Sequence, residues 1–346
     1  MKRSGILSTG KLIKNLLIMT ILLLLSTVFV NAKEPNDKEN KQILVNLYEK
    51  VIISDVNTML KDIDNLKISL KKKDVNSSKE LFFNLVKSWK KVETFYILGD
   101  LNEDFIDTPR YIDIFHNGNE DITEQLDLAI KSTDTIRIAL FKNSTKSINA
   151  LEYILFAKDI KKERINKIAL TILNKIAFHT NEIKTEYLAQ KTNFLKNLKK
   201  ANAITINAII QNTYKLKEWR VADVMGISKK FKDKADNSRA EYFLSKNSSN
   251  AIEAILITYK NILDNNSYED YGDYLIKLTN GKEMQRLRVA LNNSIALIKE
   301  IKDDDFINNK SAKKLYENIN TIHVILFVEM IEELSIHAKI LDADGD

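Results

Sequence analysis

The sequence predicts an all-α protein, arranged as two packed up-down helical bundles, on three observations. Helix breakers are scarce: the prolines are Pro35 and Pro109, and beyond the first ten residues the glycines are Gly99, Gly118, Gly226, Gly272, Gly281 and Gly345. That leaves long stretches free to form helix. Apolar residues recur at three-to-four spacing, as in Ile43, Leu44, Leu47, Val51, Ile52, Val56, Leu60, Ile63 and Leu66. Strict alternation over strand-length segments is scarce. Amphipathic helices without strands must bury their stripes against one another, and up-down bundles do so.

The chain opens with the pattern of an export signal. Lys2, Arg3, Lys11 and Lys14 precede the uncharged, mostly apolar run Leu16–Val30, and Val30-Asn31-Ala32 offers a small-residue cleavage site. The run is short for a membrane span. We read residues 1–32 as a signal peptide, with an uncleaved anchor as the alternative, and expect no transmembrane segment after cleavage. Periodicity then predicts helices at 38–73 and 78–97. Gly99, Pro109 and Gly118 punctuate a long connection over 99–119. Its apolar residues Phe105, Ile106, Tyr111, Ile112, Ile114 and Phe115 favour an ordered loop packed on the bundle. Further helices are expected at 120–142, 147–157 and 160–199, then at 202–218, 236–244 and 248–263. Asp264-Asn265-Asn266-Ser267 reads as a turn before helices at 268–278, 281–302 and 309–340. Lys199-Lys200-Ala201-Asn202 interrupts the apolar period, so the N-terminal bundle is assigned to 33–200 and the C-terminal bundle to 201–346.

Composition narrows the function classes. No cysteine occurs, which removes disulfides, thiolate ligands, a cysteine nucleophile and the acylated cysteine of a lipoprotein. Four of the 53 basic residues lie in the leader, leaving 49 against 47 acidic residues, interspersed as on solvated helix faces. No basic stripe or nucleic-acid motif is present, so no nucleic-acid partner is expected. There is no H-E-x-x-H, no G-x-S-x-G and no phosphate-binding glycine loop.

One string stands out: Ser147-Ile148-Asn149-Ala150-Leu151-Glu152-Tyr153-Ile154-Leu155-Phe156, echoed as Ser248-Ser249-Asn250-Ala251-Ile252-Glu253-Ala254-Ile255-Leu256. The echo raises an internal duplication. Asn149 and Glu152 stand at i and i+3 and share a helix face. The first copy resembles the G-x-H-x-x-E segment of the imelysin-like family, with Ser147 at the glycine position and Asn149 at the histidine position. Four further landmarks resemble the family in order: Trp89 and Glu93 within Ser88–Glu93, the loop Arg110–Phe115, Glu241 with Ser245 and Ser248, and the ending Leu341-Asp342-Ala343-Asp344-Gly345-Asp346. The resemblance implies two helical bundles with a ligand site near their junction, export to the periplasm or outer membrane, and a link to iron or other metals. It also admits a peptidase-classified branch.

The candidate site follows from these residues. Asparagine offers an amide oxygen where imidazole would suit zinc, copper or iron, so Asn149 and Glu152 suit a hard cation or an organic ligand better. The alternative is a pair of buried polar residues steadying a helix junction. Glu152 lies among apolar neighbours and needs a partner, for which Arg110 is the expected guanidinium. Asp113 and Glu93 would complete a carboxylate cluster. Trp89 is read as core, with ligand stacking as the alternative. His116 is a candidate metal donor from the loop, and Glu241 and Ser245 are expected to close the site. Ser245 and Ser248 are also candidate helix caps. His179 with Glu182, and Glu333 with His337, are read first as ordinary helix-surface pairs. The expected function is an exported envelope protein that binds a divalent metal (iron, calcium or zinc) or a small anionic ligand. A metallopeptidase with Glu152 as ligand or base, and a structural protein binding another envelope protein, are the alternatives.

Overall fold

The computed structural model describes residues 36–117, 121–279, 281–302 and 304–330. The leader, Gly118, the Glu333–His337 pair and the acidic C-terminus lie outside the described residues. Among the described residues the protein is helical and forms no strand.

Helix α1 (Asp37–Asn46) is capped by Asn36, whose side chain accepts from the Glu39 amide. It continues through a π-helical stretch, Leu47–Ile53, into α2 (Ser54–Lys72), as the unbroken apolar spacing predicts. Lys73 ends α2 in the left-handed conformation, and Asp74 caps α3 (Val75–Thr94), so the two helices form a hairpin. The 99–119 connection is ordered: it contains α4 (Leu98–Leu101), a 3-10 turn at Glu103–Phe105 and α5 (Thr108–Ile112), with Pro109 in the first turn where its missing N–H costs nothing. Short α6 (Ile122–Lys131) and α7 (Ile136–Ala139) replace the single helix expected over 120–142, because Ser132 and Thr135 are extended.

Helix α8 (Ile148–Ala157) carries the Asn-Ala-Leu-Glu string. Helix α9 (Glu163–Lys196) is the longest and packs on α2 and α8. The turn into α10 (Leu198–Lys215) falls at Asn197, whose side chain caps Lys200. The interruption expected at 199–202 is therefore the first turn of α10. A second π-helical stretch, Leu216–Ala222, leads into α11 (Asp223–Met225). The helix expected at 236–244 does not form. Residues 226–247 are irregular apart from a 3-10 turn at Asn237–Arg239, and Tyr242 and Lys246 have φ of 57° and 54°. Helices α12 (Ser248–Leu263), α13 (Tyr271–Leu278), α14 (Lys282–Ile298) and α15 (Lys310–Val324) complete the described chain, with a π-helical end at Ile325–Met330.

The apolar core runs without a break from Ile43 to Met330. Helix α12 packs on α3, α10 on α1, and α14 on both α12 and α15. The end of α3 thus comes to lie among the loop after α5, helix α8, the π-helical stretch after α10 and the irregular strap before α12.

Candidate functional site

On α3 the buried positions Phe82, Leu85, Val86, Trp89 and Val92 define the core face, and Lys90 falls on that face four residues after Val86. Its side chain is fully buried. A buried ammonium persists only when charges and hydrogen bonds replace water. Here three carboxylates do so. Lys90 Nζ lies 2.7 Å from Glu93 Oε2 and 2.7 Å from Asp113 Oδ2, and also bonds Glu241 Oε1.

Each carboxylate is held further. Asp113 caps the end of α5, and its Oδ2 also accepts from Trp89 Nε1 at 2.9 Å and from the Tyr242 hydroxyl at 2.6 Å. Its Oδ1 accepts the Phe115 amide at 2.9 Å. Arg220, from the π-helical stretch, places Nε 2.7 Å from Glu241 Oε2 and one Nη 3.0 Å from Glu93 Oε2. Nearby, Glu152 Oε1 accepts from the Ser245 amide at 2.9 Å and the Ser245 hydroxyl at 2.6 Å. The strap 241–245 is therefore tied to α3, to the Asp113 turn and to α8 by successive polar contacts. These bonds hold Tyr242 in the left-handed region, where a bulky residue is strained by roughly 1–2 kcal/mol.

The electrostatics follow from burial and proximity. Burial opposes the charge on Asp113, but the Lys90 ammonium and the hydrogen bonds from Lys90, Tyr242 and Phe115 outweigh it and hold the carboxyl well below its usual value. Burial likewise opposes Lys90, yet Asp113, Glu241 and Glu93 raise its proton affinity above that of an ordinary lysine. Glu93 is lowered: burial is exceeded by Lys90 and Arg220. Glu241 moves up, because burial, with the charges of Asp113 and Glu93, is only partly offset by Arg220 and Lys90. Burial pushes Glu152 up to about 7, against its two bonds from Ser245 and with help from the charges of Asp113 and Glu241.

The structure brings Glu93, Asp113 and Glu241 together, places Trp89 against Asp113, and joins Glu152 to Ser245. It does not bring Arg110 to Glu152. Arg110 lies on the surface with its side chain 65 % exposed, 3.1 Å from Asp107. It sits in α5, one turn before Asp113, and only Asp113 turns inward. Asn149 does not pair with Glu152: its Oδ1 accepts the Ile114 amide at 2.9 Å and so fixes the turn that presents Asp113. His116 stacks on Trp219 at 4.7 Å and places Nε2 3.3 Å from Asp223, apart from the three carboxylates. His179 pairs with Glu182 along α9.

Sequence reasoning missed Lys90, Arg220 and Tyr242. The signal for Lys90 was present, as a lysine in register with Phe82 and Val86 beside a buried tryptophan. Arg220 stands four residues after the buried Leu216, between Trp219 and the apolar Val221-Ala222.

Glu93, Asp113 and Glu241 offer oxygens within 4.8 Å of one another, a spacing that could hold a cation. That space already has an occupant. Lys90 bonds all three acids, and its ammonium would have to leave before an ion could enter. Nor does the cluster contain an imidazole or thiolate to favour a transition ion. The residues present do not fit a resident metal in this arrangement.

A family model described as imelysin (peptidase M75) matches residues 45–325. No curated protein matches the chain. Among solved structures, an imelysin-like protein from Psychrobacter arcticum 273-4 superposes with a TM-score of 0.72 at 15 % identity, over 88 % of this chain and 98 % of that one. A candidate iron-regulated protein A precursor from Parabacteroides distasonis ATCC 8503 superposes at 0.66 and 12 % identity, over 88 % and 97 %. At these identities the two structures support the shared all-α fold. With the family model spanning most of the sequence, the chain belongs to the imelysin family.

Proposed function

We propose that this protein is an exported binding protein of the cell envelope, periplasmic or associated with the outer membrane, whose buried carboxylate cluster works without a metal. One observation carries the reading: Lys90 Nζ occupies the space among Glu93, Asp113 and Glu241. Metal-assisted peptide hydrolysis needs an ion with an open position for water. A cluster whose cation is a covalently tethered ammonium offers neither, so binding is favoured over the peptidase alternative.

The side open to a ligand is the Glu93–Arg220 edge. Glu93 keeps 21 % of its side chain exposed, whereas Asp113 and Glu241 keep 2 % each. Lys215 lies over the Trp219 ring at 5.4 Å and has no carboxylate partner within 4 Å among the described residues. The fully buried Tyr259 hydroxyl has no hydrogen-bond partner among the described residues, and Arg220 and Glu93 are the charges that act on it. A lysine without a carboxylate partner, acting beside the Arg220 guanidinium at a partly exposed edge, suits a small anionic ligand. A connection to iron, of the kind the Parabacteroides protein's name suggests, would then run through an anionic chelate or a partner protein. Export rests on the leader pattern, and no described helix is long and apolar enough to cross a membrane.

The test is metal content and ligand binding on purified protein without its leader. After loading with iron, zinc or calcium, less than a stoichiometric amount should remain following gel filtration. One equivalent retained by the wild type and lost in Glu241→Gln would overturn the proposal and restore the metal reading.

A further inference from the structure

A second region, remote from the carboxylate cluster, has the properties of a ligand site. The turn between α9 and α10 and the first turn of α1 enclose an open groove of about 970 Å³. That is the size of a groove for a small molecule. Five lysines line it: Lys38 and Lys41 from α1, Lys196 at the end of α9, and Lys199 and Lys200 from α10. Asp37 is its one acidic residue. Gln190, Asn193 and Asn197 add polar groups, and Leu101, Phe194, Leu195, Leu198 and Ile204 add an apolar surface.

Among the described residues the charge here is not neutralised. Among the described residues none of the five lysines has a carboxylate within 4 Å, although lysines nearby are paired. Lys191 holds Glu49, and Lys277 holds Glu39 and Glu269. Glu39 of α1 and Glu49 of the π-helical stretch are thus directed to other lysines, Asp37 faces five lysines, and the groove keeps a surplus of positive charge among the described residues. Two helix N-termini add to it, those of α1 and α10, each already capped by an asparagine. Their dipoles favour anions in the same place. Across the rest of the mature chain the two signs nearly balance, so this concentration is a local feature.

We propose that this groove binds a ligand carrying two or more phosphate groups. Five flexible ammonium groups around one opening match several anionic oxygens better than a single carboxylate, and lysine serves phosphate as a point charge. The apolar surface accommodates the uncharged part of such a ligand. The chemistry is shared by soluble polyphosphates and by a phospholipid whose headgroup carries two phosphates, such as cardiolipin, at a membrane surface. The site shares no residue with the Glu93–Arg220 edge, so either assignment can fail alone.

Sodium tripolyphosphate, titrated calorimetrically, probes the soluble source, and co-sedimentation with phosphatidylcholine vesicles containing cardiolipin, against pure phosphatidylcholine vesicles, probes the lipid source. The protein lacking its leader should bind at least one of them at low ionic strength, more weakly as salt rises. The triple substitution Lys196→Ala, Lys199→Ala and Lys200→Ala should reduce that affinity by about tenfold or more, through loss of charge at the groove. These residues are exposed, so the variant should keep the wild-type melting temperature. The same number of charges is removed elsewhere by Lys310→Ala, Lys313→Ala and Lys314→Ala, which should leave binding within about twofold. Tripolyphosphate alone bound identifies a soluble ligand, and vesicles alone bound identify a lipid surface. Binding of neither probe, or equal weakening by the two triple variants, overturns the proposal.

Discussion

The two copies of the Ser-x-Asn-Ala-x-Glu string start alike and end in different environments. In the first, Ser147 is the cap of its own helix: its hydroxyl accepts the Ala150 amide at 3.2 Å. In the second, Ser248 lies inside the helix and its hydroxyl turns to the Glu241 carbonyl. The helix start is capped instead from 55 residues away, by Asp304, which accepts the Ser249 amide and hydroxyl at 2.7 Å each and the Ser248 amide at 2.6 Å. Asn149 holds the Ile114 amide across the fold, whereas Asn250 bonds Asn247 within its own first turn. Glu152 is buried against Ser245, and Glu253 meets Lys299 at 3.4 Å near solvent. A local string sets the helix and its face, and what packs against that face decides whether the carboxylate becomes part of a site.

The contrast is sharpest at the cations these regions use. Lys90→Met keeps most of the side-chain volume and removes the charge, leaving Asp113, Glu93 and Glu241 to repel one another in a buried setting. Unpairing a buried ion pair costs about 3–5 kcal/mol. Urea denaturation should show a loss in that range. If the variant folds, the vacated carboxylates become available to a hard divalent ion, so added calcium or manganese should recover part of the melting temperature. A loss under about 1 kcal/mol would mean that the ammonium is solvated and the cluster is not as closed as its geometry indicates.

Next in size is the pH response of Glu152. Its pKa in the folded protein, about 7, exceeds the unfolded value near 4.5. Below both values the group is protonated in either state and has no effect. Between about 4.5 and 7 the unfolded chain releases the proton and the folded chain keeps it, so stability falls as pH rises, and the penalty is constant above that window. Glu152→Gln removes this dependence. Relative to wild type the variant should gain about 3 kcal/mol between pH 4 and pH 8, from a shift of about 2.5 pH units. A gain independent of pH would show that Glu152 ionises normally in the fold.

The caps give a smaller effect that compares the two copies directly. Asp304→Ala removes a buried carboxylate that meets two amides and a hydroxyl at the start of α12, and should cost about 2 kcal/mol. Ser147→Ala removes one neutral cap and should cost about 1 kcal/mol. Chemical denaturation of the pair tests the order, which reverses if α12 is held by packing alone.

The fold was legible because it rests on periodicity. The helices at 38–73, 147–157 and 248–263 match the structure to within a few residues, since their burial follows from the spacing of Ile, Leu and Val. The helix expected at 236–244 failed because its residues face polar partners far away in sequence: Glu241 meets Lys90 and Tyr242 meets Asp113. Those bonds hold a left-handed backbone that no local propensity favours. The acids of the polar network, Glu93, Asp113, Glu152 and Glu241, were singled out from the sequence together with Ser245, and its cations Lys90 and Arg220 were not. Arg110 has one residue between it and Ile112, and helical geometry sends it outward while the chain turns Asp113 in. Nothing in one sequence says which of 53 basic residues crosses 127 positions to meet Glu93; that is Arg220.

The smallest expected effect closes the comparison between the copies. Glu253 stands where Glu152 stands in the first string, yet its partner Lys299 keeps 60 % of its side chain in water. An ion pair so exposed gains little Coulomb energy, loses side-chain entropy and is screened by salt, and is worth about 0–1 kcal/mol. Glu253→Gln should therefore change stability by less than about 0.5 kcal/mol and be insensitive to Lys299→Ala in a double-mutant cycle. A coupling above about 1 kcal/mol would show that Glu253 is held by its partner as firmly as Glu152 is by Ser245, and the two strings would then be equivalent in environment as well as in sequence.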